Sequence, residues 1–144
     1  ETNGVCYQAY DGQSRINQTI TAYGDTWTTD DIIGVAMDLD NSKLYFSKNN
    51  TWQNSGDPTS GATGTGAISI DAANTTVDGF YRPAVSDHAG SSWTTATFGF
   101  NFGGCAAFTV SSAANDGNGY GNFEYAPPSG YLALCTKNLG SDGG

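Results

Sequence analysis

The clearest hydrophobic pattern in the chain covers residues 30–48. Apolar residues take every second position from Ile33 to Leu39, which is the period of a β-strand, and the alternation resumes after residue 42. The tripeptide at positions 40–42 consists of residues that favour turns. The pattern therefore predicts a tight antiparallel hairpin. The small Gly34 and Ala36 predict that a second layer approaches one face of its first strand closely.

Shorter alternating runs predict further strands on both sides of this hairpin, and helical periodicity is weak throughout. The stretch at 57–66 is rich in Gly, Thr and Ser and predicts an exposed, mobile loop. Together these patterns predict an all-β fold, an antiparallel β-sandwich. The other predicted strands are Val5–Tyr10, Arg15–Tyr23, Phe80–Val85, Trp93–Phe102 and Tyr131–Thr136.

Composition agrees with this class and limits the partners. The 144 residues suit one domain, and 20 of them are Gly, as in turn-rich β proteins. The formal net charge is −9, with only five Lys and Arg. Because nucleic-acid binding draws on clustered cations, we expect no nucleic-acid partner. No apolar run is long enough for a membrane helix, so we expect no membrane insertion.

The cysteines and the chain ends give weaker indications. Cys6, Cys105 and Cys135 are odd in number and lack zinc-type spacing, which favours buried free thiols, although one disulfide stays open. The domain is expected to cover 1–139 and a Gly-rich tail 140–144. Both ends are expected to be cuts in a longer polypeptide.

Four segments, in order along the chain, carry a family resemblance. CYQAYDGQSRINQTITAYGDTWTTDD and DDIIGVAMDLDNSKLYFSKNN resemble the first part and the hallmark stretch of the SPRY domain. FYRPAVSDHAGSSWTTATFGFNFG resembles the segment that follows, and FEYAPPSGYLALCTKNL is similar to the close of SPRY copies in bacteriophage and prophage proteins. Ser42 and Asn50 stand where the family usually has Gly, which predicts a longer turn in the first hairpin.

The resemblance implies a fold and a general role. It implies a SPRY-like sandwich of the concanavalin-like jelly-roll type, lacking its N-terminal strands in this chain. It also implies a non-enzymatic domain that presents loops at one end as a protein-binding surface. The corresponding loops here would be 49–66, 87–93 and 111–122.

Catalytic chemistry is poorly supported by the residues themselves. His88 is the single histidine, and its neighbours Ser86, Asp87 and Ser91 share one loop, whereas a nucleophile, base and orienting group usually come from separate segments. Asp38 and Asp40 could be imagined as a glycosidase pair, but they border a turn. We therefore expect no enzyme.

Ligand binding is the better-supported chemistry, because aromatic faces beside Asn and Asp hold sugars and peptides in shallow sites. The alternative for each tryptophan is packing in the core. The candidate ligand-binding residues are Tyr10, Asp11, Trp52, Asp87, His88, Trp93 and Tyr120.

A calcium site is a weaker possibility. Asp116, Asn118 and Glu124 gather oxygen ligands around a Gly-bent loop, but without the spacing of an EF-hand. The expectation is no metal and no cofactor, with Ca²⁺ from these three residues as the alternative. Asn17, Asn49 and Asn74 stand in Asn-x-Thr sequences, whose glycosylation the sequence leaves open.

The sequence thus predicts a non-catalytic module of a phage virion protein, such as a tail fibre, tailspike, baseplate or decoration protein. Its partner would be a host-surface glycan or protein, or a neighbouring virion subunit, and its location the virion or the extracellular space. One alternative is a self-assembling subunit of an extracellular fibre. Another is an accessory domain of a polysaccharide-degrading enzyme.

Overall fold

The computed structural model describes residues 4–87, 96–104 and 107–139, and this part of the chain is all-β with four short 3₁₀ helices. Its strands form two antiparallel sheets. No helix among the described residues is long and apolar enough to cross a membrane. The strands are β1 (Val5–Tyr7), β2 (Gln13–Ile16), β3 (Thr19–Ala22), β4 (Ile33–Asp38), β5 (Lys43–Lys48), β6 (Thr51–Trp52) and β7 (Ile68–Ser69). One sheet has the order β1-β2-β3; in the other, β5 lies between β4 and the two short strands β6 and β7. The 3₁₀ helices are Gln53–Ser55, Pro58–Thr63, Ala73–Thr75 and Thr136–Asn138.

The predicted central hairpin is confirmed. Strands β4 and β5 pair antiparallel from Ile33 opposite Lys48 to Asp38 opposite Lys43. The carboxylate of Asp38 accepts hydrogen bonds from the backbone N–H (2.9 Å) and the side-chain amide (2.8 Å) of Asn41. These bonds lower the pKa of Asp38. Four residues, 39–42, connect the two strands, so the turn is longer than a two-residue turn. Within it, Ser42 has a positive φ of 55°.

The single strand predicted over Arg15–Tyr23 is wrong, because this run folds back on itself. Strands β2 and β3 form a hairpin that pairs Ile16 with Thr19. Asn17 and Gln18 make the turn with φ values of 47° and 71°. Two positive φ values in succession are what a two-residue hairpin turn needs, and Asn supplies the first at small cost.

The apolar core contains residues of both sheets. Tyr7 and Tyr23 from the first sheet region meet Leu44 on β5, with the Tyr7 and Phe46 ring centroids 5.5 Å apart. The Tyr23 hydroxyl oxygen accepts the backbone N–H of Phe46 at 3.0 Å, which joins the two regions by a hydrogen bond as well. The core is completed by Ile68 and Ile70, with Val5, Ile16, Trp27, Ile33, Met37 and Tyr81 packed at its margin.

The opposite face of the second sheet is buried as well. Tyr45 on β5 is 0% exposed, and Ala36, its partner on β4, is 3% exposed. The prediction that the face of Gly34 and Ala36 lies under a close layer is therefore confirmed. Strand β5 has buried residues on both faces and is the centre of the second sheet.

Part of that covering layer is the stretch 57–66, which the sequence predicts to be an exposed, mobile loop; five of its ten residues are exposed, but Pro58 is buried and six residues form a helix. Residues 58–63 form a 3₁₀ helix that begins with a buried Pro58 and is capped by the Asp57 carboxylate, which accepts the Thr59 N–H at 2.9 Å. The Ser60 hydroxyl lies 3.4 Å from that of Tyr45, and Tyr131 donates to the Pro58 carbonyl at 3.0 Å. Capping and one proline order the stretch without large apolar side chains.

Three further strand predictions are not met by the described residues. Phe80–Val85, the described part of Trp93–Phe102 and Tyr131–Thr136 contain no strand, and residues 93–95 of the second lie outside the described ranges. Alternation says which side chains share a face, but a strand also requires a neighbour for its backbone groups. In the described C-terminal region the ladder is limited to one bridge between Ala114 and Phe123.

A buried amide links the two sheets. Gln53 is 4% exposed, and its Oε1 accepts the Asp25 N–H at 2.7 Å while its Nε2 donates to the Thr51 carbonyl at 2.8 Å. The Tyr7 hydroxyl lies 3.3 Å from the same Oε1 and also donates to the Asp25 carbonyl. Desolvation, with the charge of Asp25 second, raises the pKa of Tyr7 to about 12, which keeps this hydroxyl a donor.

We expect Gln53→Ala to lower the free energy of unfolding by about 1–3 kcal/mol, because the Asp25 N–H loses the acceptor that the buried Gln53 side chain supplies. Urea denaturation monitored by tryptophan fluorescence measures the change. Gln13→Ala on β2, whose side chain makes no hydrogen bond with the described residues, is the matched control and should change stability far less. Equal midpoints for wild type and Gln53→Ala would show that the amide does not link the sheets.

Candidate functional site

One buried carboxylate makes the largest number of hydrogen bonds between the described C-terminal segments. Asp116 is buried, and its Oδ1 accepts the backbone N–H groups of Asn118 and Tyr120, both at 2.9 Å. Its Oδ2 accepts the Ala133 N–H at 2.8 Å and the Asn138 side-chain amide at 2.7 Å. Asp116 thus joins the loop that carries Tyr120 to the segment 133–138.

Hydrogen bonding sets the charge state of this group. Desolvation would raise the pKa of Asp116, but the bonds from Ala133, Tyr120, Asn138 and Asn118 outweigh it and lower the pKa to about 2. Asp116 is therefore a carboxylate that stabilises the fold at neutral pH.

The structure does not assemble the calcium site considered from the sequence. Both Asp116 oxygens are occupied by the chain's own donors, and the Asn118 amide donates to the Asn138 side-chain oxygen at 2.8 Å. Glu124 instead accepts the N–H and the hydroxyl of Ser111, at 2.6 and 2.5 Å. Across the described ranges, no three His, Cys, Asp or Glu side chains are placed to hold a metal ion. The close spacing of Asp116 and Asn118 in the sequence suggests a cation site, but it is equally typical of a loop in which an Asp side chain bonds the backbone two residues further on.

An open cleft of about 350 Å³ lies between the segments that Asp116 joins. One wall consists of glycine backbone, and Tyr120, Cys135, Thr136 and Lys137 complete the lining. We call it the Tyr120 cleft. Small-molecule sites in proteins span roughly 300–1,000 Å³, so this cleft is at the small end of that range. The glycines that line it are Gly103, Gly104, Gly119 and Gly121.

The glycine wall leaves the cleft open. Gly121 has a φ of 111°, and a Cβ there would lie 2.5 Å from the Phe123 ring, so a larger residue is excluded on both counts. On the other side, the Lys137 Nζ lies 5.4 Å from the centroid of the Tyr120 ring. The cleft therefore combines an aromatic face, an ammonium group and exposed backbone.

The predicted ligand-binding residues are placed separately. Tyr120 lines the cleft. Tyr10 is 73% exposed beside Asp11 in the β1–β2 turn, where the Asp11 carboxylate accepts the Gln13 N–H at 3.1 Å. Trp52 packs edge to face on Tyr45, with centroids 6.4 Å apart.

The remaining candidates and Trp27 add little to a site. Asp87 is exposed at the end of a described range, and His88 and Trp93 lie outside the described residues. Trp27 packs at the margin of the core, 6.3 Å from the Tyr7 ring, as the core alternative for a tryptophan predicted. Among the described candidates, only Tyr10 and Asp11 interact with each other, through a side-chain hydrogen bond.

Sequence reasoning missed most of the cleft. Alternation predicts a strand that includes Cys135 and Thr136 and stops before Lys137, and no sequence signal places these three residues beside Tyr120. The nearest signal was the density of glycine at 117–121, which was interpreted as loop alone. The long-range bonds of Asp116 bring these segments together.

The cysteines and the Asn-x-Thr sites differ in environment. Cys6 is a free thiol exposed on β1, so its predicted burial is wrong: its side chain points away from the core that its neighbour Tyr7 enters. Cys135 is free and half-buried at the cleft, and Cys105 lies outside the described residues.

Of the three Asn-x-Thr sites, Asn49 uses its side chain within the fold, accepting the Ile32 N–H at 2.8 Å and donating to Asp31 at 2.6 Å. Asn17 and Asn74 are exposed.

The stability that Asp116 contributes should be lost in acid. Its folded pKa, about 2, is lower than the 3.8 of a free side chain, so the contribution is present above pH 3.8 and disappears as the pH falls towards 2. We expect Asp116→Asn to be less stable than wild type at neutral pH and the difference to shrink between pH 4 and pH 2. Urea titrations across this range measure it.

Asp40→Asn, at an exposed carboxylate of the β4–β5 turn, is the control for removing one negative charge. A difference between wild type and Asp116→Asn that stays constant across the acid range would contradict the assigned hydrogen bonding.

Comparison with known proteins adds no relative. No family model matches the chain, and neither the curated proteins nor the solved structures include a match to it.

Proposed function

We propose that this chain is a non-catalytic recognition module of a bacteriophage virion protein, with a SPRY-like β-sandwich, and that it binds a saccharide of the host surface. The family and its setting rest on the sequence resemblance at 6–31, 30–50, 80–103 and 123–139. The virion or the extracellular space is the corresponding location. The partner class rests on one structural observation, the Tyr120 cleft.

The geometry of the cleft suits a sugar ring. Sugars present flat C–H faces and a rim of hydroxyls, so their sites pair an aromatic surface with nearby hydrogen-bonding groups. Tyr120 supplies such a surface, and Thr136 and the glycine residues belong to the same lining. Because the glycines carry no side chains, a ring can approach the backbone directly.

The cleft is also held in place before any ligand arrives. Asp116 accepts the Tyr120 N–H and, through Ala133 and Asn138, fixes the segment on both sides of Lys137. The Tyr120 carbonyl in turn accepts the Asp116 N–H at 2.7 Å. A site that is already ordered loses less conformational entropy on binding, which favours recognition by a small contact area.

We expect Tyr120→Ala to weaken binding to host-surface saccharide by about five- to tenfold, the loss of an aromatic contact of roughly 1 kcal/mol. A glycan array identifies the saccharide, and titration calorimetry with it measures the affinities. Tyr10→Ala is the control, since Tyr10 is a tyrosine on the β1–β2 turn that is more exposed than Tyr120, 73% against 37%, and takes no part in the cleft. Loss of binding in Tyr10→Ala with full binding in Tyr120→Ala would move the site to the other end of the chain.

A second candidate function, self-assembly in a fibre or shell, is favoured by a different observation. Four phenylalanines are exposed by 36–44%. Two of their rings stack, with centroids 5.7 Å apart and planes 16° apart, and another lies over the backbone of Gly99. Apolar surface gathered in this way is typical of subunit contacts. We call it the phenylalanine strip; its members are Phe98, Phe100, Phe102 and Phe108.

If the strip is a contact between copies, Phe100→Ser should raise the dissociation constant of the oligomer by about tenfold or more, since a buried aromatic anchor contributes roughly 2 kcal/mol. Sedimentation velocity over a concentration series measures it. Phe80→Ser, at an exposed phenylalanine paired with Arg82, is the control. A wild-type chain that stays monomeric at every concentration would reject self-assembly through the strip.

A further inference from the structure

The charge of the Tyr120 cleft is opposite to that of the chain as a whole. The net charge of the chain is −9, yet among the described residues no Asp or Glu side chain lines the cleft, whereas Lys137 does. Ion pairs recorded in the described ranges use Lys48 with Asp31 at 3.3 Å and Arg82 with Asp78 at 3.0 Å. Lys137 has no carboxylate partner among the described residues, so its charge is available to a ligand.

The backbone of the cleft offers donors as well. Within the described residues, the N–H groups of Gly104 and Gly121 have no hydrogen-bond acceptor, whereas those of Gly103 and Gly119 bond the Asn101 side chain and the Asp116 carbonyl. The Lys137 ammonium carries three further donors and no acceptor. A lining with surplus donors and one unpaired cation selects an acceptor-rich, negatively charged group.

From these observations we infer that the Tyr120 cleft binds an acidic saccharide, with the sugar ring on Tyr120 and its carboxylate at Lys137. This inference rests on the proposed saccharide-binding function and adds the charge class of the ligand. An acidic peptide would satisfy Lys137 too. However, a peptide usually adds to a strand edge or fills a long groove, and this small cleft lies among loops.

The test uses a panel of uronate- and sialate-bearing oligosaccharides, each with its carboxyl-reduced counterpart, titrated into the whole chain by calorimetry. We expect at least one acidic member to bind about tenfold more tightly than its reduced form, the usual effect of one charge-assisted hydrogen bond. Lys137→Met should remove that preference, and added salt should weaken it. Arg15→Met, at an exposed cation on β2, is the charge-matched control and should keep it.

Cys135 gives a second readout that does not depend on affinity. Cys135 is among the residues that line the cleft and its thiol is free, so a bound saccharide should slow its alkylation by iodoacetamide several-fold, as measured by peptide mass spectrometry. Cys6, exposed on β1, should react at the same rate with and without ligand.

The outcomes separate this inference from the proposed function. Equal binding of acidic and reduced forms that still depends on Tyr120 and still protects Cys135 would overturn the charge class and leave saccharide binding standing. Failure of every saccharide to bind or to protect Cys135 would overturn both. Protection of Cys135 by an acidic peptide alone would also overturn both, in favour of a protein partner.

Discussion

The buried amide of Gln53 is the constraint on which the arrangement of the two sheets depends. One side chain bonds the backbone at Asp25, which precedes the second sheet, and at Thr51 within it, and lies beside the Tyr7 hydroxyl of the first sheet. A buried polar group of this kind must keep all its partners, because each unmade bond costs more than a made one contributes. Its packing also explains Gly24, where a Cβ would lie 2.3 Å from the Gln53 Oε1. The network joins Tyr7, a member of the apolar core, to the segment that follows β6 of the second sheet.

The two parts of the described chain are stabilised in different ways. The region up to Ile70 uses strand ladders and an apolar core. The C-terminal region instead uses side chains that bond backbone, with Asp116, Glu124 and Asn101 each accepting or donating across the segment. Such bonds fix loops without a sheet neighbour, since a carboxylate can accept several N–H groups at once. They leave apolar side chains such as Phe100 and Leu134 exposed, which is why this region offers both a cleft and a strip for contacts.

What the sequence could predict follows from the range of each interaction. The hairpin of β4 and β5 was predictable because its alternation and its turn lie within nineteen consecutive residues, 30–48, and agree with each other. The alternation around Phe98 was equally clear, but it does not say whether a neighbouring strand exists, and the described residues provide none. The roles of Gln53 and Asp116 were beyond reach, because the bonds of Gln53 to Tyr7 and of Asp116 to Asn138 span 46 and 22 residues. No periodic pattern records such pairings. Tyr120 was found from its residue type and loop context, whereas Lys137 required the folded chain.

The same carboxylate that orders the C-terminal region also sets the geometry of the cleft, so the stability of this region and the proposed recognition are coupled. Asp116 bonds Tyr120 directly and holds Lys137 between Ala133 and Asn138. Any change that weakens these bonds should therefore move the aromatic face relative to the ammonium group, even where the fold survives. A change at the Gln53 network would destabilise the sheets while leaving the two walls of the cleft joined to each other. If the cleft binds the proposed saccharide, the separate bonding of the two regions makes that binding dependent on Asp116 and, at equal folded fraction, independent of Gln53.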